Sequence, residues 1–264
     1  MLRSMYSGIS GLKNFQTKLD VIGNNIANVN TYGFKKGRVT FKDAISQTSM
    51  GASASTDTKG GTNAVQIGLG SSISSIDTID TAGSLQTTSR TLDLGIQGDG
   101  YFIVNDGAND YYTRAGNFYL DEEGTLVTGE GYKVEDTAGN AIQMDVANIQ
   151  SFSISQNGAI NVVKTDGTSE ELAIIALAKF SNPGGLEKAG GNLLQESVNS
   201  GQPQAGAAST DGRGTISSGT LEMSNVDLSE EFTDMIVAQR GFQANTRIIT
   251  TSDEILQELV NLKR

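Results

Sequence analysis

The apolar residues near the N-terminus repeat with a helical period. Their separations are threes, fours or sums of these, so they lie along neighbouring lines of one helix within residues 1–30. Gly8, Gly11 and Gly23 interrupt the pattern, and each costs about 1 kcal/mol relative to Ala in a helix interior. We therefore expect this helix to need a packing partner. Its candidate packing residues are Leu2, Met5, Ile9, Leu12, Phe15, Leu19, Ile22 and Ile26.

Residues 225–264 carry a second amphipathic pattern. Asp227 or Ser229 is placed to cap a helix whose apolar residues follow a near-heptad repeat. Its candidate packing residues are Leu228, Phe232, Met235, Phe242, Ile249, Leu256, Leu259 and Val260. The pattern leaves two interpretations open. The two terminal helices pack on the centre of the chain as ordinary core helices, or they form a separate helical layer.

Between the helices the pattern changes to that of β-strands. Residues 31–90 are rich in Ser, Thr, Gly and Ala and predict an extended connector, either a flexible linker or a segment ordered by neighbouring molecules. Residues 91–200 alternate short apolar runs with turn signals, which predicts a mainly antiparallel β domain. Asn157-Gly158 predicts a hairpin with a type I′ turn. Residues 201–224 predict a return connector, so the fold class is α+β.

Composition excludes several classes of function. The chain has no Cys, His or Trp, which removes thiolate and imidazole metal ligands and His-dependent nucleophiles. We predict no catalytic, cofactor-binding or metal-binding residues and no enzyme activity. The formal net charge of -11 aids solubility and repels phosphate, so we expect no nucleic-acid partner. No apolar run approaches the roughly 18 residues of a membrane span, and the first 26 residues lack a signal-peptide core.

Three local motifs suggest chemistry but have simpler explanations. The glycines of residues 95–100 do not follow the G-x-G-x-x-G spacing, and we predict a turn there. The acidic residues 121–124 lack the alternating oxygen ligands of a calcium loop, and we predict a hairpin turn. The basic residues 35–38 form either a solvated face or a patch that pairs with an acidic neighbouring subunit. No aromatic pocket pattern singles out a catalytic carboxylate pair.

One segment resembles a known family. Residues 19–35 read LDVIGNNIANVNTYGFK, which resembles the N-terminal signature of the flagellar rod and hook protein family. The resemblance continues through residues 92–102, 112–118, 121–131 and 224–245, so it covers nearly the whole chain. The motif residues that we carry over are Asn24, Asn25, Asn28, Gly33 and Phe34.

The resemblance implies a structural role. It implies export by the flagellar type III apparatus without a cleaved signal, followed by polymerisation within the flagellum, in the hook outside the cell or in the basal body. By resemblance, both terminal stripes pack between subunits in an inner coiled-coil layer, with the β domain outside it. The implied partners are copies of this chain in a helical polymer, neighbouring rod, hook-cap and hook-filament junction proteins, and the export apparatus.

Details of the two ends favour one branch of the family. Residues 21–28, 225–228, 234–240 and 259–262 resemble hook termini more closely than distal rod termini. The expectation is therefore a short hook subunit, forming a hollow, flexible tube that acts as a universal joint and transmits motor torque to the filament. Length fits the alternative, a distal rod subunit in a rigid drive shaft, because many hook proteins carry an additional outer domain.

Overall fold

The chain forms two compact units. The computed structural model describes residues 2–56, 59–145 and 148–262, with only the backbone described for Leu2. Unit 1 comprises Met1–Ala27, Gly37–Thr78 and Asp227–Arg264, and unit 2 comprises Asn28–Lys36 and Ile79–Val226. The predicted α+β class, with terminal helices and a mainly antiparallel β domain between them, is confirmed.

Unit 1 contains both long helices, α1 (Leu2–Ala27) and α2 (Leu228–Asn261). Asp227 is the N-cap of α2, since its side chain accepts hydrogen bonds from the backbone N–H groups of Ser229 and Glu230. These bonds satisfy donors that have no partner within the helix. Asp227, the first of the two predicted caps, is therefore confirmed.

The two helices approach each other closely at glycines. A Cβ atom added to Gly241 would lie 2.5 Å from Cζ of Phe15, and one added to Gly11 would lie 2.8 Å from Oδ1 of Asn245. Ala238, another small residue of α2, is fully buried. Glycine therefore weakens each helix by itself but lets large side chains of the other helix fill the space.

Two antiparallel strand pairs complete unit 1. Its strands are β1 (Gly37–Asp43), β2 (Ser46–Met50), β3 (Val65–Gly68) and β4 (Ser71–Thr78). Strand β1 pairs with β4, and β2 pairs with β3. The Asn14 side chain of α1 donates a 2.8 Å hydrogen bond to Oγ of Ser71, and the rings of Phe15 and Phe41 lie 6.1 Å apart. These contacts attach the β1–β4 pair to α1.

Unit 2 is built from short strands. Within the described residues they are β5 (Leu85–Thr87), β6 (Leu94–Gln97), β7 (Tyr101–Asn105), β8 (Asp110–Thr113), β9 (Tyr119–Leu120), β10 (Leu126–Val127), β11 (Lys133–Val134), β12 (Ile149–Ile154), β13 (Ala159–Lys164), β14 (Ser169–Ile174), β15 (Ala176–Lys179), β16 (Glu187–Gly190), β17 (Leu193–Gln195), β18 (Gln204–Ala207), β19 (Thr215–Ser218) and β20 (Thr220–Glu222). A 3-10 turn covers Pro183–Gly185. Strands β1 to β5 lie within the range predicted as a connector.

The sheets of unit 2 enclose one main apolar core. The largest sheet runs β16-β17-β8-β7-β11-β10-β9, with β15 joining β7 to β18, and β12-β13-β14 form a separate sheet. Strand β6 pairs with β19, and β5 pairs with β20. Phe102 and Phe118 are fully buried in the core, with ring centroids 5.0 Å apart in an edge-to-face arrangement. The alternating apolar positions of these strands are what fill it.

The predicted turns are present, with one correction of type. Strands β12 and β13 form the predicted hairpin, but positive φ occurs at Gly158 and not at Asn157, so the predicted type I′ turn is wrong. Gly158 N–H instead donates to the carbonyl of Ser155, and Asn157 Oδ1 accepts from Ala159 N–H. This side-chain bond holds Asn157 in an ordinary turn conformation, followed by a glycine bulge. Residues 121–124 form the predicted turn between the paired strands β9 and β10. The turn predicted over residues 95–100 is shorter, because residues 95–97 belong to β6 and only residues 98–100 lead from β6 to β7, which pair with different strands.

Candidate assembly site

The predicted packing residues of α1 differ in their exposure to solvent. Ile22 is buried and Ile9 is exposed, while the side chain of Leu2 lies outside the described residues. The half-buried members are Met5, Leu12, Phe15, Leu19 and Ile26. Because α1 packs on α2 and on β1, part of its stripe is covered within one molecule.

The predicted packing residues of α2 are more exposed. Met235, Ile249 and Leu256 are half-buried. The exposed members are Leu228, Phe232, Phe242, Leu259 and Val260. Further exposed apolar residues, which the heptad pattern did not single out, are Ile236, Val237, Ile248 and Ile255 of α2 and its C-cap residue Leu262. A heptad pattern identifies only the apolar residues on one face of a helix. The exposed apolar residues on the other faces of α2 were therefore missing from the prediction.

Exposed apolar side chains are concentrated in unit 1. Among the described residues, 19 of the 23 large exposed hydrophobic side chains belong to unit 1, and four belong to unit 2. The unit 1 set includes residues of both helices and of the β2–β3 pair, such as Met50, Val65 and Ile67. A surface of this kind is typical of a protein that buries it against another chain.

Neither described helix combines the length and apolarity of a membrane span. Within the described part of the chain, no group of three or more acidic side chains is placed to hold a metal ion.

The motif residue Asn25 joins three elements of unit 1. Its side-chain amide both accepts from Gly37 N–H and donates to Gly37 carbonyl, each at 2.9 Å, as a paired strand residue would. The same Nδ2 donates to Oε2 of Glu231 at 3.1 Å. Asn25 is only 2% exposed, so these bonds tie α1, the start of β1 and the first turn of α2 together in a dry site.

The neighbouring motif residues have local roles. Asn24 lies on the exposed side of α1. The side chain of Asn28 accepts from the Thr31 hydroxyl at 3.1 Å, within the turn that follows α1. This bond stabilises the turn from which the next motif residues continue.

Gly33 and Phe34 belong to unit 2. Gly33 has φ of 70°, and a Cβ atom there would lie 2.7 Å from the backbone N of Ala115. Gly33 N–H donates to the carbonyl of Glu222 at 2.8 Å. Phe34 is half-buried, with Nζ of Lys188 lying 5.0 Å from its ring centroid. Only glycine combines this φ with this close approach.

A buried charge cluster lies beside Gly33 in unit 2, and sequence reasoning missed it. We define it as Lys35, Asp80, Tyr101, Arg114 and Glu222. Lys35 Nζ lies 2.6 Å from Oε1 of Glu222, and Arg114 Nη1 lies 3.1 Å from Oε2. The Tyr101 hydroxyl donates to Asp80 Oδ2 at 2.7 Å, and the Arg114 guanidinium lies 5.1 Å from the Tyr101 ring centroid.

This cluster corrects one expectation. Lys35 was expected on a solvated face or against a neighbouring subunit, but it is 6% exposed and pairs with Glu222 of its own chain. Glu222 accepts from Gly83 N–H as well, at 2.9 Å, so one carboxylate serves three donors. No local pattern could reveal this, because its members come from segments far apart in the sequence.

Burial changes the titration of the cluster. Burial, and then the Arg114 guanidinium, lower the pKa of Lys35, although Glu222 opposes this. Burial and the Asp80 carboxylate raise the pKa of Tyr101 far above its usual range. On the next strand, burial and then Glu196 raise the pKa of Tyr112 to about 12.

These tyrosines predict alkaline unfolding of unit 2. A tyrosine ionises near pH 10 in an unfolded chain, so the folded state binds the Tyr101 and Tyr112 protons more tightly. Their stabilisation is complete below about pH 10 and decreases above it, and the contribution of Tyr112 is lost as the pH rises through about 12. Tyrosinate absorbance from these residues should appear together with the loss of β-sheet circular dichroism, and Tyr112→Phe should reduce the pH dependence. Ionisation of both residues with the sheet intact would contradict this.

Three family models match the chain. The model described as "Flagella basal body rod protein" matches residues 5–35. "Flagellar hook protein FlgE/F/G D1 domain" matches residues 95–162, and "Flagellar basal body rod FlgEFG protein C-terminal" matches residues 217–262. The matches fall on α1 and the motif that follows it, on the central strands and on α2.

Curated relatives match over full lengths. The chain is 61% identical over 265 residues to the flagellar basal-body rod protein FlgG of Bacillus subtilis (strain 168), with both chains fully covered. It is 39% identical over 269 residues to FlgG of Borreliella burgdorferi, again with full coverage of both. It is 34% identical to the flagellar hook protein FlgE of Borreliella burgdorferi, in an alignment of 441 positions that covers both chains. The chain therefore belongs to the flagellar basal-body rod and hook protein family, a structural rather than enzymatic family of axial proteins that polymerise within the bacterial flagellum.

Proposed function

We propose that the chain is a subunit of the distal rod, the rigid drive shaft of the flagellum, rather than a short hook protein. The observation that carries this proposal is its 61% identity to a rod protein over the full length of both chains. Rod relatives align with few gaps, whereas the hook relative needs 441 positions for a chain of 264 residues. The hook relative therefore carries long segments that have no counterpart in this chain.

The comparisons favour this alternative over the hook interpretation that the termini suggested. One family model for the C-terminal helix is shared by hook and rod proteins, as is the model for the central domain. Helices that pack in a common inner layer face similar packing demands in both kinds of protein. The amino-acid sequence of the terminal motifs therefore distinguishes rod from hook proteins less well than identity and length over the whole chain do.

The proposed mechanism is polymerisation through unit 1. Both helices leave apolar side chains exposed in one molecule, and burying them against further copies would build a continuous helical tube. The stripes predicted for packing between subunits would supply these contacts, with the β domains outside. The proposed partners are copies of this chain, neighbouring axial proteins of the flagellum, and the type III export apparatus that delivers the chain.

Electron microscopy of the assembled protein tests the proposal. Concentrated protein should pellet as tubes, and a rod subunit should give straight tubes whereas a hook subunit should give curved ones. Protein that stays monodisperse at every concentration would instead favour a soluble binding module. Straight tubes support the rod assignment, and curved tubes restore the hook assignment.

A matched pair of valines tests the role of unit 1. Val237 of α2 is 56% exposed, and Val198 of unit 2 is fully exposed. Val237→Ser should raise the critical concentration for polymerisation about tenfold, because burial of a valine contributes about 1.5 kcal/mol or more. Val198→Ser should leave it unchanged. Sedimentation of a dilution series measures both, and equal effects of the two substitutions would argue against assembly through α2.

A further inference from the structure

The formal charge of the chain is divided unequally between the two units. Unit 1 contains 10 Lys and Arg residues and 11 Asp and Glu residues, which gives a net charge of -1. Unit 2 contains 9 basic and 19 acidic residues, which gives -10. Together these account for the -11 of the whole chain. Nearly all of the net charge therefore resides in the unit that exposes few large apolar side chains.

The surface of unit 2 is strongly acidic. Two of its basic side chains, Lys35 and Arg114, are buried and paired with Glu222, so they do not offset charge at the surface. Several of its glutamates are exposed to solvent. Those suited to substitution are Glu122, Glu171, Glu187 and Glu196. Like charges on adjoining molecules repel over a Debye length, which is about 10 Å at 0.1 M salt and about 3 Å at 1 M.

We infer that unit 1 drives the association of this chain with further copies and that the charge on unit 2 opposes it, so that ionic strength sets the concentration at which the protein polymerises. The nearly neutral unit 1 buries apolar surface without a large electrostatic cost. Each added copy places another unit 2, with its net charge of -10, near the neighbouring copies. This inference rests on the proposed polymerisation, whose regulation it describes.

The dependence of critical concentration on salt is the measured quantity. For the unaltered full chain, we expect the critical concentration to fall about tenfold between about 0.1 M and about 0.5 M NaCl, as repulsion is screened. The variant with all four of these glutamates changed to glutamine has a unit 2 charge of -6 instead of -10. The repulsion between two copies varies with the product of their unit 2 charges, so about a third of it remains in this variant. The critical concentration of the variant should therefore fall only about twofold over the same range of salt concentration.

A charge-preserving control separates repulsion from other effects of salt. Salt also strengthens apolar association, but that contribution is the same in every variant because none of these four side chains belongs to unit 1. The variant with the same four residues changed to aspartate keeps the charge and should behave as the unaltered chain does. Sedimentation of assembled protein at each salt concentration measures all three proteins.

The outcomes distinguish this inference from the proposed function. A steep salt dependence that is reduced in the glutamine variant and kept in the aspartate variant supports the inference. Polymers whose critical concentration responds equally to salt in all three proteins overturn it, while the polymerisation proposal stands. Absence of polymers in all three proteins at every salt concentration overturns both, because the inference depends on assembly.

Discussion

Glu222→Gln is expected to lower the free energy of unfolding of unit 2 by about 3–5 kcal/mol, because it removes the anion that two buried cations share. Lys35 Nζ and Arg114 Nη1 contact opposite oxygens of this carboxylate, whose side chain is fully buried. Glutamine keeps an acceptor for Gly83 N–H but presents a donor group toward one cation. Lys35 would keep Asp80, whose Oδ1 lies 4.0 Å from its Nζ, as an anionic neighbour, while Arg114 would lose the carboxylate that it contacts.

Tyrosine signals measure this effect on unit 2 alone. Six of the seven tyrosines belong to unit 2, and the chain has no tryptophan, so tyrosine fluorescence during denaturant unfolding follows that unit. Glu171→Gln is the matched control, because Glu171 is exposed in the same unit, and it should change stability by less than about 0.5 kcal/mol. Equal, small effects of both substitutions would mean that the cluster contributes little to the stability of unit 2.

A second variant distinguishes loss of the ion pair from loss of packing. Lys35→Met removes one of the two cations, so adding it to Glu222→Gln should recover part of the lost stability. The four proteins of this double-mutant cycle are compared under one set of conditions. Strictly additive losses would show that Lys35 and Glu222 contribute independently, in conflict with their 2.6 Å contact.

Gly241→Ala and Gly23→Ala are expected to have opposite effects on unit 1. A Cβ atom at Gly241 would lie 2.5 Å from Cζ of Phe15, whereas one at Gly23 would meet no atom within 4 Å. Gly23→Ala should stabilise the helical unit by about 1 kcal/mol through helix propensity. Gly241→Ala should destabilise it by about 1–3 kcal/mol, because overpacking outweighs the same gain in propensity.

Helical circular dichroism measures both effects. The two long helices belong to unit 1, so thermal unfolding followed by the helical signal reports on that unit. Measurements on assembled protein also give the critical concentration, which should rise for Gly241→Ala and fall for Gly23→Ala. Adding Phe15→Leu to Gly241→Ala should restore part of the loss by vacating the space of the ring. Stabilisation by both alanines would show that the helices separate without cost at Gly241.

The helices were predictable because their signals are local. The apolar period of α1 and α2 and the cap at Asp227 depend on residues within a few turns of one another. The hairpin at Asn157-Gly158 was predictable for the same reason, but its turn type was not. A single side-chain bond, from Ala159 N–H to Asn157 Oδ1, selects between turns that the same residues permit.

The roles of the motif residues required tertiary structure. Asn25 could be recognised as part of a motif, but its bonds to Gly37 and Glu231 depend on two other elements of unit 1. Gly33 could also be recognised as part of the motif, but only the structure shows that the backbone of Ala115 leaves no room for a side chain there. A resemblance marks such positions without giving the contact that makes them necessary.

The sequence by itself determined the two amphipathic helices, the antiparallel β domain between them, the net charge of -11 and the family, because period, turn chemistry, composition and motif are all present in the linear order of residues. The tertiary structure alone decided that Lys35 is buried, that one carboxylate holds two cations, and that glycines of α1 and α2 receive large side chains of the other helix. These contacts join residues far apart in the sequence, and the side-chain hydrogen bond between Asn25 and Glu231 likewise spans 206 positions. Their energies depend on burial, which no local pattern specifies.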